Sequence, residues 1–126
     1  MSNFTYNLMK QAMDATSLRQ ETISSNIANV NTPEYKVNKV EFESLLNKAS
    51  NGLGLTKTND RHLGLSSAAE AAPIVTKRTN TAVKDNGNNV DIDMEMTDQA
   101  ENTLEYNALV SQLNARYAML RSVITK

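Results

Sequence analysis

The chain has 126 residues, the size of one modest domain, and its 13 basic and 14 acidic side chains leave a net charge of −1. The absence of cysteine excludes disulfides and thiolate metal sites, and the scattered charges leave no electrostatic footprint for nucleic acid. With no Trp and only 5% aromatic residues, packing falls to Leu, Ile, Val, Met and Ala, which favours helix on helix.

Residues from about 4 to 30 read as one helix. Phe4, Leu8, Ala12, Ala15, Ile23, Ile27 and Val30 recur at helical spacing, and the interior holds neither Gly nor Pro. Thr16, Arg19 and Thr22 interrupt the stripe, so the seam is weak. Its start lacks a basic stretch, an apolar core and a small-residue cleavage site, so no cleavable secretory signal is expected. No run is long and apolar enough to cross a bilayer. Three asparagines, Asn26, Asn29 and Asn31, crowd the helix exit, and Pro33 stops the helix at Thr32. Asparagine diverts its amide to nearby backbone, so these residues are expected to terminate the helix and orient the next segment against an adjacent subunit. The bland alternative is solvent-facing Asn with no specific role.

Residues 37–50 predict a short helical turn around Phe42–Leu46. Residues 51–73 read as loop and contain the only histidine, His62, which has no second ligand nearby in sequence and carries no metal chemistry. "IVTKRTNTAVK" (74–84) has strand character and suggests a small hairpin. "DNGNNVDID" (85–93) is turn chemistry, with Asp91 or Asp93 as N-cap and Glu95 in the first helical turn. These acids do not meet the spacing of a calcium loop.

Residues from about 94 to 125 form the stronger predicted helix. Met96, Thr103, Tyr106, Val110, Leu113, Tyr117, Leu120 and Ile124 keep heptad-like spacing. At ~1.5 Å per residue such a helix is about 45–50 Å long, more than so small a chain can cover. The expected fold is therefore mainly α: two long terminal helices in an antiparallel hairpin or coiled coil, with an irregular centre holding a short β-hairpin. The stripe of Val110, Leu113, Tyr117, Leu120 and Ile124 is expected to serve both core and assembly. No nucleophile–base arrangement or phosphate loop stands out, so neither an enzyme, a cofactor nor a small-molecule substrate is expected.

"NIANVNTPEYK" (26–36) is less generic than a helix stop. It resembles the N-terminal signature of the axial proteins of the bacterial flagellum, approximately N-[IL]-A-N-x-x-T-x-G-[YF]. Asn26, Ile27, Ala28, Asn29, Thr32, Tyr35 and Lys36 fall in place around Pro33; Glu34 stands where that family usually has Gly. "LTKTNDRHLGL" (55–65), "DNGNNVDIDMEM" (85–96) and "YNALVSQLNARYAMLRSVI" (106–124) resemble the B-type proximal rod family, with the C-type as the sibling alternative. The short chain without a large inserted domain is similar to rod rather than hook proteins.

The resemblance implies one axial-protein domain in three parts: helix and signature (1–36), central insert (37–90) and last helix (91–126). It implies a rod subunit of the basal body, in the cell envelope, building a hollow shaft that transmits torque. The implied partners are copies of itself, other rod proteins, a FliE-type protein joining rod to MS ring, and the flagellar type III export apparatus, which it would pass with its N-terminus uncut. Early export substrates are thought to share a Phe-x-x-x-hydrophobic pattern; Phe42 with Leu46 fits it, as does Phe4 with Leu8. An ordinary (i, i+4) packing pair is the alternative. A cytoplasmic helical interaction or chaperone module would also explain an exposed stripe, but not the signature and "NNVDID" in that order.

Overall fold

The computed structural model describes residues 3–44, 46–47, 72–81 and 83–125. The 55–65 stretch and His62 lie outside the described residues. The first helix, α1, spans Asn3–Ala28. It tightens at its end, where Asn29 N donates to both Ser25 O and Asn26 O (3.1 Å each), Val30 N to Ile27 O and Thr32 N to Asn29 O. Thr16 and Thr22, which looked like interruptions, are buried. Their hydroxyls return to Met13 O (2.9 Å) and Leu18 O (2.7 Å), so no donor is stranded.

The strand character of 74–84 is realised at β2 (Ile74–Lys77). Its partner is not a neighbour in sequence but β1 (Asn38–Glu41), antiparallel, with Asn38 opposite Lys77 and Glu41 opposite Ile74. Arg78 N extends the pairing to Val37 O (3.0 Å). The expected helical turn follows β1: Leu46 N donates to Phe42 O (2.8 Å), and Phe42 is buried.

The last helix, α2, spans Ile92–Ile124 with Asp91 as N-cap, its carboxylate accepting from Asp93 N (3.1 Å) and Met94 N (3.4 Å). It runs antiparallel to α1: Asn26 meets Glu95, Thr16 meets Asn102, Arg19 meets Glu105 and Tyr6 meets Tyr117. The two tyrosine rings stand edge to face, 6.5 Å apart. The molecule is thus mainly helical, with a small antiparallel sheet between two long helices.

The apolar core is small: Met9, Ala15, Ile23, Val37, Phe42 and Val90. The side chains that α2 buries are Glu95 and Asn102, not its heptad stripe. Val110 and Leu113 are half-buried, whereas Tyr117 and Leu120 (45% each) and Ile124 (79%) are exposed. The hairpin seam is therefore shifted around the helix from the apolar stripe, which is largely left bare.

Candidate assembly site

The helix exit and the entry to α2 close on each other through side-chain amides. Asn26 is buried beneath both. Its Nδ2 donates to Asn38 O and to Glu95 Oε2 (2.9 Å each), and its Oδ1 accepts from Asn38 N (3.1 Å) and Tyr35 OH (3.3 Å). One amide thus ties α1, β1 and α2 together. Asn29 closes the helix end: Nδ2 donates to Ser25 O (2.8 Å) and Oδ1 accepts from Thr32 Oγ1 (3.0 Å). Asn31 is exposed, with only a long contact from Lys84 Nζ (3.5 Å). Of the three crowded asparagines, Asn26 and Asn29 make their side-chain bonds within the chain and Asn31 contributes little.

The opposing loop supplies what motif spacing did not single out. Asn88 is fully buried; its Nδ2 donates to Asn29 O (2.9 Å) and Thr32 O (2.7 Å), and its Oδ1 accepts from Val90 N (2.7 Å). Asn89 Oδ1 accepts from Val37 N (2.6 Å), while its Nδ2 donates to Arg78 O and Thr81 Oγ1. Backbone bonds from Glu34 N to Asn86 O and from Asn89 N to Tyr35 O complete the junction. The Lys36 ammonium donates to Gly87 O and Thr81 O, and that of Lys84 to Val30 O (2.7 Å). The asparagine pair in "GNNVD" was the available signal: adjacent amides before a helix can face opposite ways and serve two segments.

The turn keeps the backbone that a glycine would favour. Glu34 has φ 57°, the only positive φ among described non-glycine residues. Its carboxylate lies over Gly87, itself at φ 80°, where a methyl group would strike it. A left-handed L-residue costs ~1–2 kcal/mol, partly offset by the unfolded-state entropy a glycine brings. Glu34→Gly is therefore expected to stabilise the chain by about 0.5–1 kcal/mol in thermal denaturation. A lower midpoint would show that the Glu34 carboxylate contributes more than its backbone strain costs.

Glu95 is 4% exposed. Burial pushes its carboxyl above the ordinary value of 4.5; the Asn26 amide pulls it back, Asp98 pushes it up, Lys39 lowers it and Asp91 raises it. A carboxyl with a raised folded pKa binds its proton more tightly in the native chain. Its stabilising contribution is complete below the unfolded pKa and is lost as pH rises through the raised folded value. Glu95→Gln keeps an acceptor for Asn26 and removes the buried charge. Its melting temperature is expected to exceed the wild type's at pH 7 and to converge with it below about pH 4. An unchanged gap across that range would contradict this assignment.

The other predicted residues are dispersed. Ile27, Tyr35 and Leu46 are half-buried, and Ala28, Thr32 and Pro33 are exposed on the turn. Phe42 packs in the core, whereas the side chain of Phe4 lies outside the described residues. Among the described residues no group of His, Asp or Glu could hold a metal ion.

A helical hairpin joined by interlocking loops, with a bare apolar stripe along its longer helix, has the form of an assembling helical subunit. The family described as "Flagella basal body rod protein" matches residues 9–36, which cover most of α1 and the signature turn. The flagellar basal body rod protein FlgB of Bacillus subtilis is 39% identical over 117 residues, 93% of this chain and 90% of its own length. The FlgB proteins of Borreliella burgdorferi (36% over 122 residues, 90% of each chain) and Aeromonas hydrophila (33% over 119 residues, 91% of this chain and 88% of its own) are similarly related. The chain belongs to the FlgB family of flagellar basal body rod proteins.

Proposed function

We propose that this chain is a building block of the proximal rod, a structural element of the shaft that transmits torque, and has no catalytic role. One observation carries the reading: the loops bearing the family signatures lock onto each other, while α2 keeps an apolar stripe the chain does not cover. Asn26, Ile27, Ala28, Asn29, Thr32, Pro33 and Tyr35 set the angle at which α1 hands over to the central segment. Val110, Leu113, Tyr117, Leu120 and Ile124 form the assembly surface, the first two shared with the seam. Residues 1–36, 37–90 and 91–126 act as parts of one axial domain.

The partners in this reading are copies of itself, other rod proteins and a FliE-type junction protein at the MS ring. The chain reaches the cell envelope through the flagellar export apparatus without losing its N-terminus. Phe42 is 4% exposed, so an exporter reading Phe42 and Leu46 meets them only before the chain folds. Deleting the chain from its own bacterium is expected to abolish swimming and leave basal bodies without a rod, both restored by the wild-type chain. Intact rods in the deletion strain would overturn the reading.

A further inference from the structure

We infer that Asn86 is a site of covalent self-modification: its side chain is converted through a cyclic imide with Gly87 N whenever the 85–90 loop leaves the helix exit, and the closed junction holds that reaction back.

Asn86 and Gly87 are adjacent in the turn, and glycine puts no side chain beside its own amide nitrogen. Asn86 is exposed to water, and among the described residues its Nδ2 makes no hydrogen bond. Its neighbours differ. Asn88 and Asn89 are buried with both ends of their amides bonded, and the nitrogen after Asn89 is crowded by the branched side chain of Val90.

The conversion balances with water and a base alone. Gly87 N gives its proton to hydroxide or a buffer base and bonds to Asn86 Cγ. The Cγ–Nδ2 bond breaks, and Nδ2 leaves with a proton as ammonia. Water then opens the imide. Opening at Cγ yields aspartate; opening at the other carbonyl yields isoaspartate, in which the main chain runs through Cβ and Cγ. One water is consumed, one ammonia is released, and no atom changes oxidation state.

The closed junction keeps the reacting atoms apart. When an amide N–H ionises, its electron pair lies along the former N–H direction, and Lys84 O occupies that direction 3.1 Å from Gly87 N. The other edge of the same peptide unit is fixed too, because Asn86 O accepts from Glu34 N (3.0 Å). Lys84 N donates to Asn88 O (3.0 Å), the Lys36 ammonium holds Gly87 O, and Asn86 Oδ1 accepts from Asn88 N (3.2 Å). Turning Gly87 N toward Cγ therefore requires a local opening of the bonds that join this loop to the helix exit.

The mark is one-way. In isoaspartate the carbonyl that held Glu34 N becomes a free carboxylate, and an extra main-chain atom shifts Asn88 out of register with Asn29 O and Thr32 O. Either product adds a negative charge near the Glu34 carboxylate, which lies over Gly87. Chains whose junction stays open are marked, and closed chains are spared.

The test is incubation of the full chain in warm, mildly alkaline buffer, then digestion at mildly acidic pH and peptide mapping, which separates Asn86–Gly87 from the other such pair, Asn51–Gly52. In folded wild type Asn86 should convert about tenfold or more slowly than in the same chain unfolded in guanidinium, since conversion waits for local opening. The unfolded chain should give isoaspartate as well as aspartate, which direct hydrolysis of the amide cannot. Asn88→Ala, kept below its melting point, and Lys36→Met, which removes only the ammonium on Gly87 O, should each convert severalfold faster than folded wild type. Circular dichroism shows whether each variant is folded; if Asn88→Ala is not, Lys36→Met decides. Equal rates in folded and unfolded wild type, aspartate as the sole product, or folded variants that convert no faster than wild type would overturn the inference. The refolded isoaspartyl chain should melt below wild type, and an unchanged midpoint would overturn the one-way character of the mark.

Discussion

Replacing Asn88 with alanine is expected to lower the thermal midpoint of the free chain by roughly 10–20 °C. The residue is fully buried, and its amide bonds Asn29 O, Thr32 O and Val90 N from one position. Alanine removes all three bonds and strands Val90 N, whose residue is 1% exposed, while Asn29 O keeps Thr32 N and Thr32 O keeps Tyr35 N. One stranded buried group costs about 1–3 kcal/mol and each of the other two lost hydrogen bonds about 0.5–1.5 kcal/mol, so the junction loses roughly 2–6 kcal/mol. That is a large share of the ~5–15 kcal/mol that holds a typical domain together. Asn88→Asp is the sharper control. It preserves shape and the acceptor for Val90 N, but a carboxylate cannot donate to two carbonyls and adds a buried charge. Both variants should melt early, and Asn88→Asp should recover partly at acidic pH, where a protonated carboxyl regains one donor. A midpoint within a few degrees of wild type for both would show that the loops are held by something other than this amide.

The helices, an N-cap at Asp91 or Asp93 and the turn after Phe42 were legible because each depends on local chemistry: periodicity, a capping carboxylate, a proline; the structure settles the cap on Asp91. The sheet was half legible. β2 could be read from Ile74, Val75 and Thr76, but its partner lies across the central segment at Asn38–Glu41. Nothing in "NKVE" announces a strand; pairing with β2 and burial against α1 create it. The seam of the hairpin was misplaced for a related reason. Apolar periodicity finds the stripe that must be buried somewhere, and it does not say against what. In this chain α1 takes the polar face of α2, where Asn102 and Glu95 find partners, and the apolar stripe is displaced to the surface. Asn88 and Asn89 were visible as turn residues, yet their roles depend on carbonyls and amides far off in sequence, at Asn29, Thr32 and Val37. The resemblance to axial proteins marked the two loops but gave no reason for their pairing. The reason is a shared set of amide bonds.

Polar contacts hold the subunit in shape, and in the proposed rod the apolar stripe of α2 belongs to its neighbours. Leu120 separates the two roles better than Leu113, which is half-buried in the seam. Leu120 is 45% exposed in the chain alone, so a carboxylate there meets water and should change stability by less than ~0.5 kcal/mol. In an assembled rod the same carboxyl would be buried against apolar neighbours without a partner, at a cost of several kcal/mol per subunit contact even after it takes up a proton. The decisive measurement is therefore a pair made on one variant, Leu120→Asp: the melting temperature of the purified chain, and swimming with rod density in cells that produce the variant at wild-type level. The expected result is a melting temperature within about 3 °C of wild type together with lost swimming and absent rods. Normal swimming, or a collapse of the free chain that shows Leu120 to be part of its own core, would contradict this division of roles.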